Sequence, residues 1–480
     1  MKKLLIPVCV AALLSFGCGG KSDRLGFGAD STMTSYADSY APARTMLLEG
    51  QFDELAGKMR ENAPDADGVA LTDEEYKEQL VAENSEISLL ERGLLTLNSG
   101  DFRRAIHYFD AAELKMEQGE GEGLLSKGAS AGGKGLLVAL SGSEEVSDYS
   151  LRGYEKVMLY NYKALCYMLM GDRRAYNVTR RAIAKQQEEW EIFKAMVAEA
   201  EAEEEKQLAE EGSSGGGALE SGDTRDEYTK QKAASVSSAY VNPFADYMNG
   251  MIMEIDSLQD RSIIDNAALA YKNVLENNAK CTMARQAYDQ LRKGAIPRGQ
   301  KMVHVILSDG FSPERKVETS GYRLDKLSAI VNYTQATPYP SQVASARVGK
   351  VTLAPLSDME AIILRDDQDS EPFRQLMFVG AVLRSGFASY LGGDTLAGLT
   401  SKMQKPDTRS WLTLPGKILV ARMYVPTGQK QIELQTRDAS GKVIATQKVD
   451  LAAKGPTVIY AVSYDKQLRA YANDSSWLEQ

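Results

Sequence analysis

Histidine is almost missing from this chain: His107 and His304 are the two imidazoles among 480 residues. A histidine-rich metal or acid-base site therefore has little to be built from, and neither an HExxH nor a CxxC spacing occurs. Cysteine is nearly as scarce, at four residues. Cys9 and Cys18 lie at the start, and Cys166 and Cys281 are far apart on helical patterns. A disulfide needs α-carbons within ~7 Å, so two small buried thiols are expected instead. No apolar run reaches the ~20 residues that a membrane-spanning helix needs. An excess of positive charge is also absent: 66 acidic against 56 basic residues give a net charge of −10, which makes a poor general ligand for nucleic acid.

What is present begins with an export pattern. Lys2-Lys3 precede an apolar run from Leu4 to Leu14, then Ser15-Phe16-Gly17-Cys18. The run is too short to span a bilayer and reads as a signal peptide over residues 1–17. Ser15-Phe16-Gly17-Cys18 resembles a bacterial lipobox, although Ser15 stands where leucine is usual; cleavage after Gly17 by ordinary signal peptidase is the alternative. Lipidation of Cys18 would anchor the chain to a membrane. Gly19, rather than aspartate, points by resemblance to the outer membrane. Residues 18–35, rich in glycine and serine, read as a flexible tether.

From 36 to 295 the apolar period is helical. The stretch Leu89 to Ala112 has the spacing of one tetratricopeptide unit: Gly93 for close helix approach, Gly100 for the turn, Ala105, Phe109 and Ala112 for the packed face. A first hairpin turns at Gly50, a third at Gly171 and a fourth carries Gly250, with about five extra residues in its turn. Low-complexity insertions are expected at 117–148 and 200–225. One such hairpin cannot balance the cost of ordering its chain, so the hairpins must stack, and the stack should present a concave groove.

Beyond residue 300 the period changes to two, which predicts a β-rich domain over 300–465 with a sandwich-like, mainly antiparallel sheet, an inserted helix at 371–391 and a tail at 466–480. Lys417–Val425, Lys430–Arg437, Lys442–Val449 and Thr457–Tyr464 read as a meander, with Asp438 to Gly441 as one hairpin turn. The fold class expected is α+β.

Motifs for chemistry are few. Gly128 to Gly135 meets seven positions of a phosphate-binding loop but puts Gly135 where a hydroxyl is needed. Asp366 to Glu371 offers oxygens for calcium, yet Pro372 would occupy the turn glycine of an EF-hand; Asp369 or Ser370 is expected to cap a following helix. Asp407, Arg409 and Trp411 form the most distinctive stretch of the second half. They suit either a stacking surface for a polymer or peptide, or a structural plug in which Asp407 pairs with Arg409.

Gly153-Tyr154-Glu155-Lys156, Met170-Gly171-Asp172, Asn242-Pro243-Phe244-Ala245 with Tyr247 and Gly250, Gly310 to Lys316, and Asp407 to Pro415 with Ala421-Arg422 together resemble a family of bacterial envelope lipoproteins. Its members have a tetratricopeptide-like front half and a β-rich back half. The resemblance spans Tyr149 to Val425 and implies fold and location, with no activity to carry over. The expectation is a non-enzymatic scaffold, without metal or cofactor, that holds an envelope protein or peptide in its helical groove. A peptidoglycan or glycan binder using the β-rich part is the alternative.

Overall fold

The computed structural model describes residues 27, 36–129, 149–210, 225–293, 297, 299–324, 327–370 and 406–473. The signal segment, Cys18, nearly all of the tether, most of the two expected insertions and the expected helix 371–391 lie outside the described residues. The chain is α+β, with helices in the first half and mainly antiparallel sheets in the second.

The helices follow the periodic segments. α1 (Tyr36–Leu48) and α2 (Phe52–Glu61) are joined at Gly50; α3 (Asp73–Glu83) opens in a capping box of Thr72 and Glu75. α4 (Glu86–Asn98) and α5 (Phe102–Ala129) form the next hairpin, α6 (Gly153–Leu169) and α7 (Arg174–Glu210) the one after. A short α8 (Glu227–Ala233) leads to α9 (Pro243–Asp256) and α10 (Ile264–Asn277), whose longer turn holds a 3-10 helix at Arg261–Ile263. Helix was expected to run on through Cys281. Instead α10 stops and α11 (Thr282–Arg292) restarts, because Asn278 leaves helical geometry and donates to the carbonyls of Pro355 and Leu356. Cys166 and Cys281 are both buried and unbonded.

Strands β1 (Gln300–Asp309), β2 (Glu314–Leu324), β3 (Leu327–Thr337), β4 (Ser345–Val348), β5 (Val351–Thr352) and β6 (Ala354–Ser357) precede α12 (Met359–Asp369). After it come β7 (Lys417–Pro426), β8 (Gln431–Arg437), β9 (Val443–Asp450), β10 (Thr457–Tyr464) and β11 (Gln467–Ala472). They make a five-stranded sheet of order β11-β10-β1-β7-β6, a four-stranded sheet β5-β4-β8-β9 and the hairpin β2-β3.

The last strands are not a meander. β10 runs parallel to β1, β7 pairs with the other side of β1, and β8-β9, hairpinned across Asp438 to Gly441, belong to the second sheet. Burial explains the sorting. β1 and β10 are buried on both faces and take central places in a sheet covered on both sides, whereas β8 alternates and can keep one face wet. β11 falls in the segment expected to be a tail; half-exposed along its length, it makes a sheet edge with a weak sequence signal. Ser370 ends α12, which is capped by Asp358, whose side chain accepts from Ala361 N at 3.0 Å; the helix that Asp369 or Ser370 was expected to cap lies outside the described residues.

Three layers result. On β1, Met302, His304, Ile306 and Ser308 turn to the helices, while Val303, Val305 and Leu307 pack on Ala346, Val348, Ile432, Leu434 and Val449 of the second sheet. The helices and the near face of the five-stranded sheet share one continuous apolar core, from Tyr36 through Phe109 and Phe244 to Tyr464.

Candidate functional site

The expected groove is occupied by the protein itself. α4 is buried from Leu89 to Asn98 and α6 along its whole length; both are mostly apolar, and the lysines of α6 are paired inside the protein, Lys156 with Glu189 and Lys163 with Glu113. Two glutamates sit inside these helices, and their partners come from the far end of the chain. Glu91 accepts from Leu412 N at 2.6 Å and Thr413 N at 3.1 Å, and from the Thr413 and Tyr36 hydroxyls. Glu155 accepts from Trp411 N at 2.9 Å, from Tyr149 Oη at 2.8 Å and from Arg152 N at 2.9 Å. Residues 407–415 thus form a strap whose backbone donors are capped by buried carboxylates. Burial pushes the Glu91 carboxyl up to about 7, against the pull of the donors from Thr413 and Leu412.

Trp411 is the strap's anchor, 1% exposed, with ring centroids 6.3 Å from Phe109 and 6.0 Å from Tyr162. No ring face is left on which a polymer could stack, so the interaction surface weighed for it is absent at this residue. Arg409 is tied to Asp407 by paired hydrogen bonds of 2.9 and 2.7 Å and lies over the Tyr149 ring. The trio is a clamp within the molecule.

The repeat-signature residues also meet in this interior. A β-carbon on Gly93 would fall 2.6 Å from the Phe109 ring, which is the close helix approach its spacing implies. Gly100 and Gly171 both carry positive φ at their turns, and a β-carbon on Gly100 would strike Tyr471 of β11 at 2.5 Å. Ala105, Phe109 and Ala112 are fully buried, and Gly250 faces Ala270 and Tyr271 of α10. Asn98, at the end of α4, bonds the hydroxyls of Tyr460 and Tyr464 at 2.8 Å each, so the hairpin is pinned to the sheet at that point.

A second buried cluster locks α9 to the sheet. Glu254 receives Arg422 Nε at 2.8 Å and Tyr271 Oη at 2.9 Å, with His304 Nε2 at 3.5 Å. Burial alone would raise this carboxyl; His304 and Arg422 outweigh it and hold Glu254 at about 2. His304 is thereby structural, and His107 rests against the Tyr76 ring. Asp366 and Asp367, weighed above as calcium ligands, are buried on α12 and engage Arg315. Among the described residues no cluster of histidine, cysteine and carboxylate side chains is arranged to hold a metal ion. Most of Gly128 to Gly135 lies outside them. Gly128 to Gly132 also has the spacing of a nucleophile elbow, but the residues leading into it form helix α5, where both that motif and the phosphate-binding loop need a strand.

The open site lies elsewhere, at the end of β1. A cavity of about 410 Å³ is bounded by α8, the Pro338–Ser341 loop and the start of α12. β1 and β10 are parallel, so their carboxyl ends reach the same edge; Gly310 N donates to Ser463 O and Gly416 N to Asp309 O, which brings the β1, β7 and β10 ends together. Glycine at 416 suits the close approach there, since a β-carbon would lie 3.0 Å from the Phe311 carbonyl oxygen. Asp309 is buried; its carboxylate accepts from the Ser463 hydroxyl, from Ser341 Oγ at 2.8 Å, and has Lys417 Nζ at 3.3 Å. Burial raises the Asp309 carboxyl, and Lys417 opposes the shift. Opposite charges also come from the helices: Lys232 pairs with Asp358 at 2.8 Å, and Tyr228 Oη donates to Glu360 at 2.6 Å. Pro338, Tyr339 and Pro340 supply apolar wall, with the buried Phe311 ring behind Tyr339. Both signs of charge beside aromatic surface equip the cavity to orient a polar ligand.

No family model matches the chain, and no curated protein or solved structure is found to be similar to it.

The sequence reading missed this site because its residues come from five separate segments. One local signal was available: Ser308-Asp309-Gly310 ends the apolar run of β1 with a charge that is followed directly by a turn glycine.

Proposed function

We propose that the chain is a non-enzymatic, lipid-anchored scaffold of the bacterial cell envelope that binds a peptide or a peptide-bearing partner. Its helical hairpins are read as tetratricopeptide-like units, with lipid carried on Cys18. The helices act as a frame, and the ligand is held in the cavity at the end of β1 instead of in the helical groove. The observation that carries this reading is the strap: residues 407–415 already fill the inner face of α4 and α6, while the cavity beside Asp309 stays open. The cavity carries two ion pairs, Lys417–Asp309 and Lys232–Asp358, a Glu360 bonded to the Tyr228 phenol, and apolar wall, a composition suited to recognition.

A photo-crosslinking residue placed at Tyr228, exposed on the cavity lining, tests this in intact cells. The expected result is a peptide or protein adduct that is missing when the same group replaces Leu269, which is exposed on α10 and does not line the cavity. Equal labelling at both positions, or none at either, would sink the reading. In the same cells Cys18→Ser should accumulate as a slower-migrating precursor; unaltered processing would remove the lipid anchor from it.

A further inference from the structure

The charges around the cavity differ in the company they keep. Lys417 has a charged partner in Asp309, 3.3 Å away and shared with two serine hydroxyls, and it also donates to the Val343 carbonyl. Glu360 is the converse. Among the described residues its side chain accepts from the Tyr228 phenol alone, a neutral donor, while neighbouring Asp358 takes Lys232. The two charges are also tied together: Glu360 N donates to the carbonyl of Gly416, the residue before Lys417, at 2.9 Å. Tyr339 packs edge to face, at 5.2 Å, on the buried Phe311, with Arg44 over both rings, so the apolar wall is fixed from behind. A volume of about 410 Å³ falls at the lower end of the range for small-ligand sites, roughly 300–1,000 Å³.

We propose that this cavity takes a short zwitterionic peptide of two or three residues, its carboxylate at Lys417, its ammonium at Glu360 and an apolar side chain against Tyr339 and the flanking Pro338 and Pro340. The proposal rests on the reading of the cavity as the binding site and adds the chemical class of ligand. Charge-assisted hydrogen bonds at both ends fix the length and polarity of the ligand, and the aromatic wall favours apolar residues over charged ones.

Titration calorimetry on the full chain with Ala-Phe, N-acetyl-Ala-Phe, Ala-Phe-amide and free phenylalanine tests it. Ala-Phe should bind, and each capped form should bind about tenfold more weakly, the equivalent of one charge-assisted contact. Glu360→Gln should erase the discrimination against the acetylated form, and Lys417→Met that against the amide, with the other discrimination kept in each case. Glu360 is half-exposed, so its near-isosteric change keeps the test valid should Lys417→Met fail to fold. Capped and free forms binding alike, or phenylalanine matching the dipeptide, would overturn the ligand class while leaving the cavity as the site. Should no probe bind and Ser341→Trp, which fills the cavity, leave the Tyr228 crosslink unchanged, the cavity reading falls as well.

Discussion

β1 has two sides with opposite characters. Toward the second sheet it offers Val303, Val305 and Leu307 to other aliphatic residues. Toward the helices it offers His304 and Ser308 among Met302 and Ile306, meeting Glu254, Tyr247 and Tyr162. The aliphatic side gains stability from area removed from water, which carries no direction and tolerates repacking. Facing the helices, buried charges and hydrogen bonds must find their partners or remain costly, so that side sets which helix sits on which strand.

Breaking the polar side should have the largest effect. Arg422→Met leaves Glu254 buried beside His304 and Tyr271 without its guanidinium, and should cost about 3–5 kcal/mol in urea unfolding at neutral pH. The Glu254 carboxyl is depressed in the folded state, so this contribution is present above its unfolded value of ~4.3 and fades as pH falls toward 2. A loss that persists unchanged in acid would show packing, rather than charge, to be responsible.

Glu91 is expected to behave in the opposite sense. Its folded pKa of about 7 lies above the unfolded value of ~4.3, so the native state holds the extra proton between them and stability should decline as pH rises from ~4.3 to about 7, then level off. The full swing is on the order of 3 kcal/mol, and Glu91→Gln should flatten it in melting curves taken across that window. Parallel slopes for wild type and variant would assign the pH dependence elsewhere.

The smallest expected effect is the control that sharpens the contrast. Ile306→Val on the helix side and Ile459→Val on the sheet side are both buried single-methylene losses, and each should cost about 0.5–1.5 kcal/mol. Similar values would place the difference between the two sides in polar pairing; a markedly larger cost at Ile306 would mean that packing differs too.

Much of the architecture was legible from pattern. The helical hairpins, the turns at Gly50, Gly100 and Gly171, and the switch to strands near residue 300 all rest on local period and turn chemistry, and they appear where those signals sit. Strands β4 to β6 were not legible, being two to four residues long with little room for a period. Strand order was not legible either, because pairing β1 with β10 depends on burial of both faces over a separation of about 150 residues. The filled groove had left a trace: α4 and α6 spread apolar residues around most of their circumference, a property of enclosed helices, and a glutamate inside such a helix implies a donor from somewhere else in the chain. The identity of that donor was beyond local reading.

The strap has a further consequence, for the order of assembly. Glu91 and Glu155 lie 321 and 256 positions before the backbone amides they accept from. A chain made from its N-terminus therefore presents both carboxylates, inside otherwise apolar helices, long before Trp411 to Thr413 exist. Contacts of such high sequence separation close late and slowly. The helical half therefore gains its full set of hydrogen bonds only when the strap arrives, and the last quarter of the sequence closes the first.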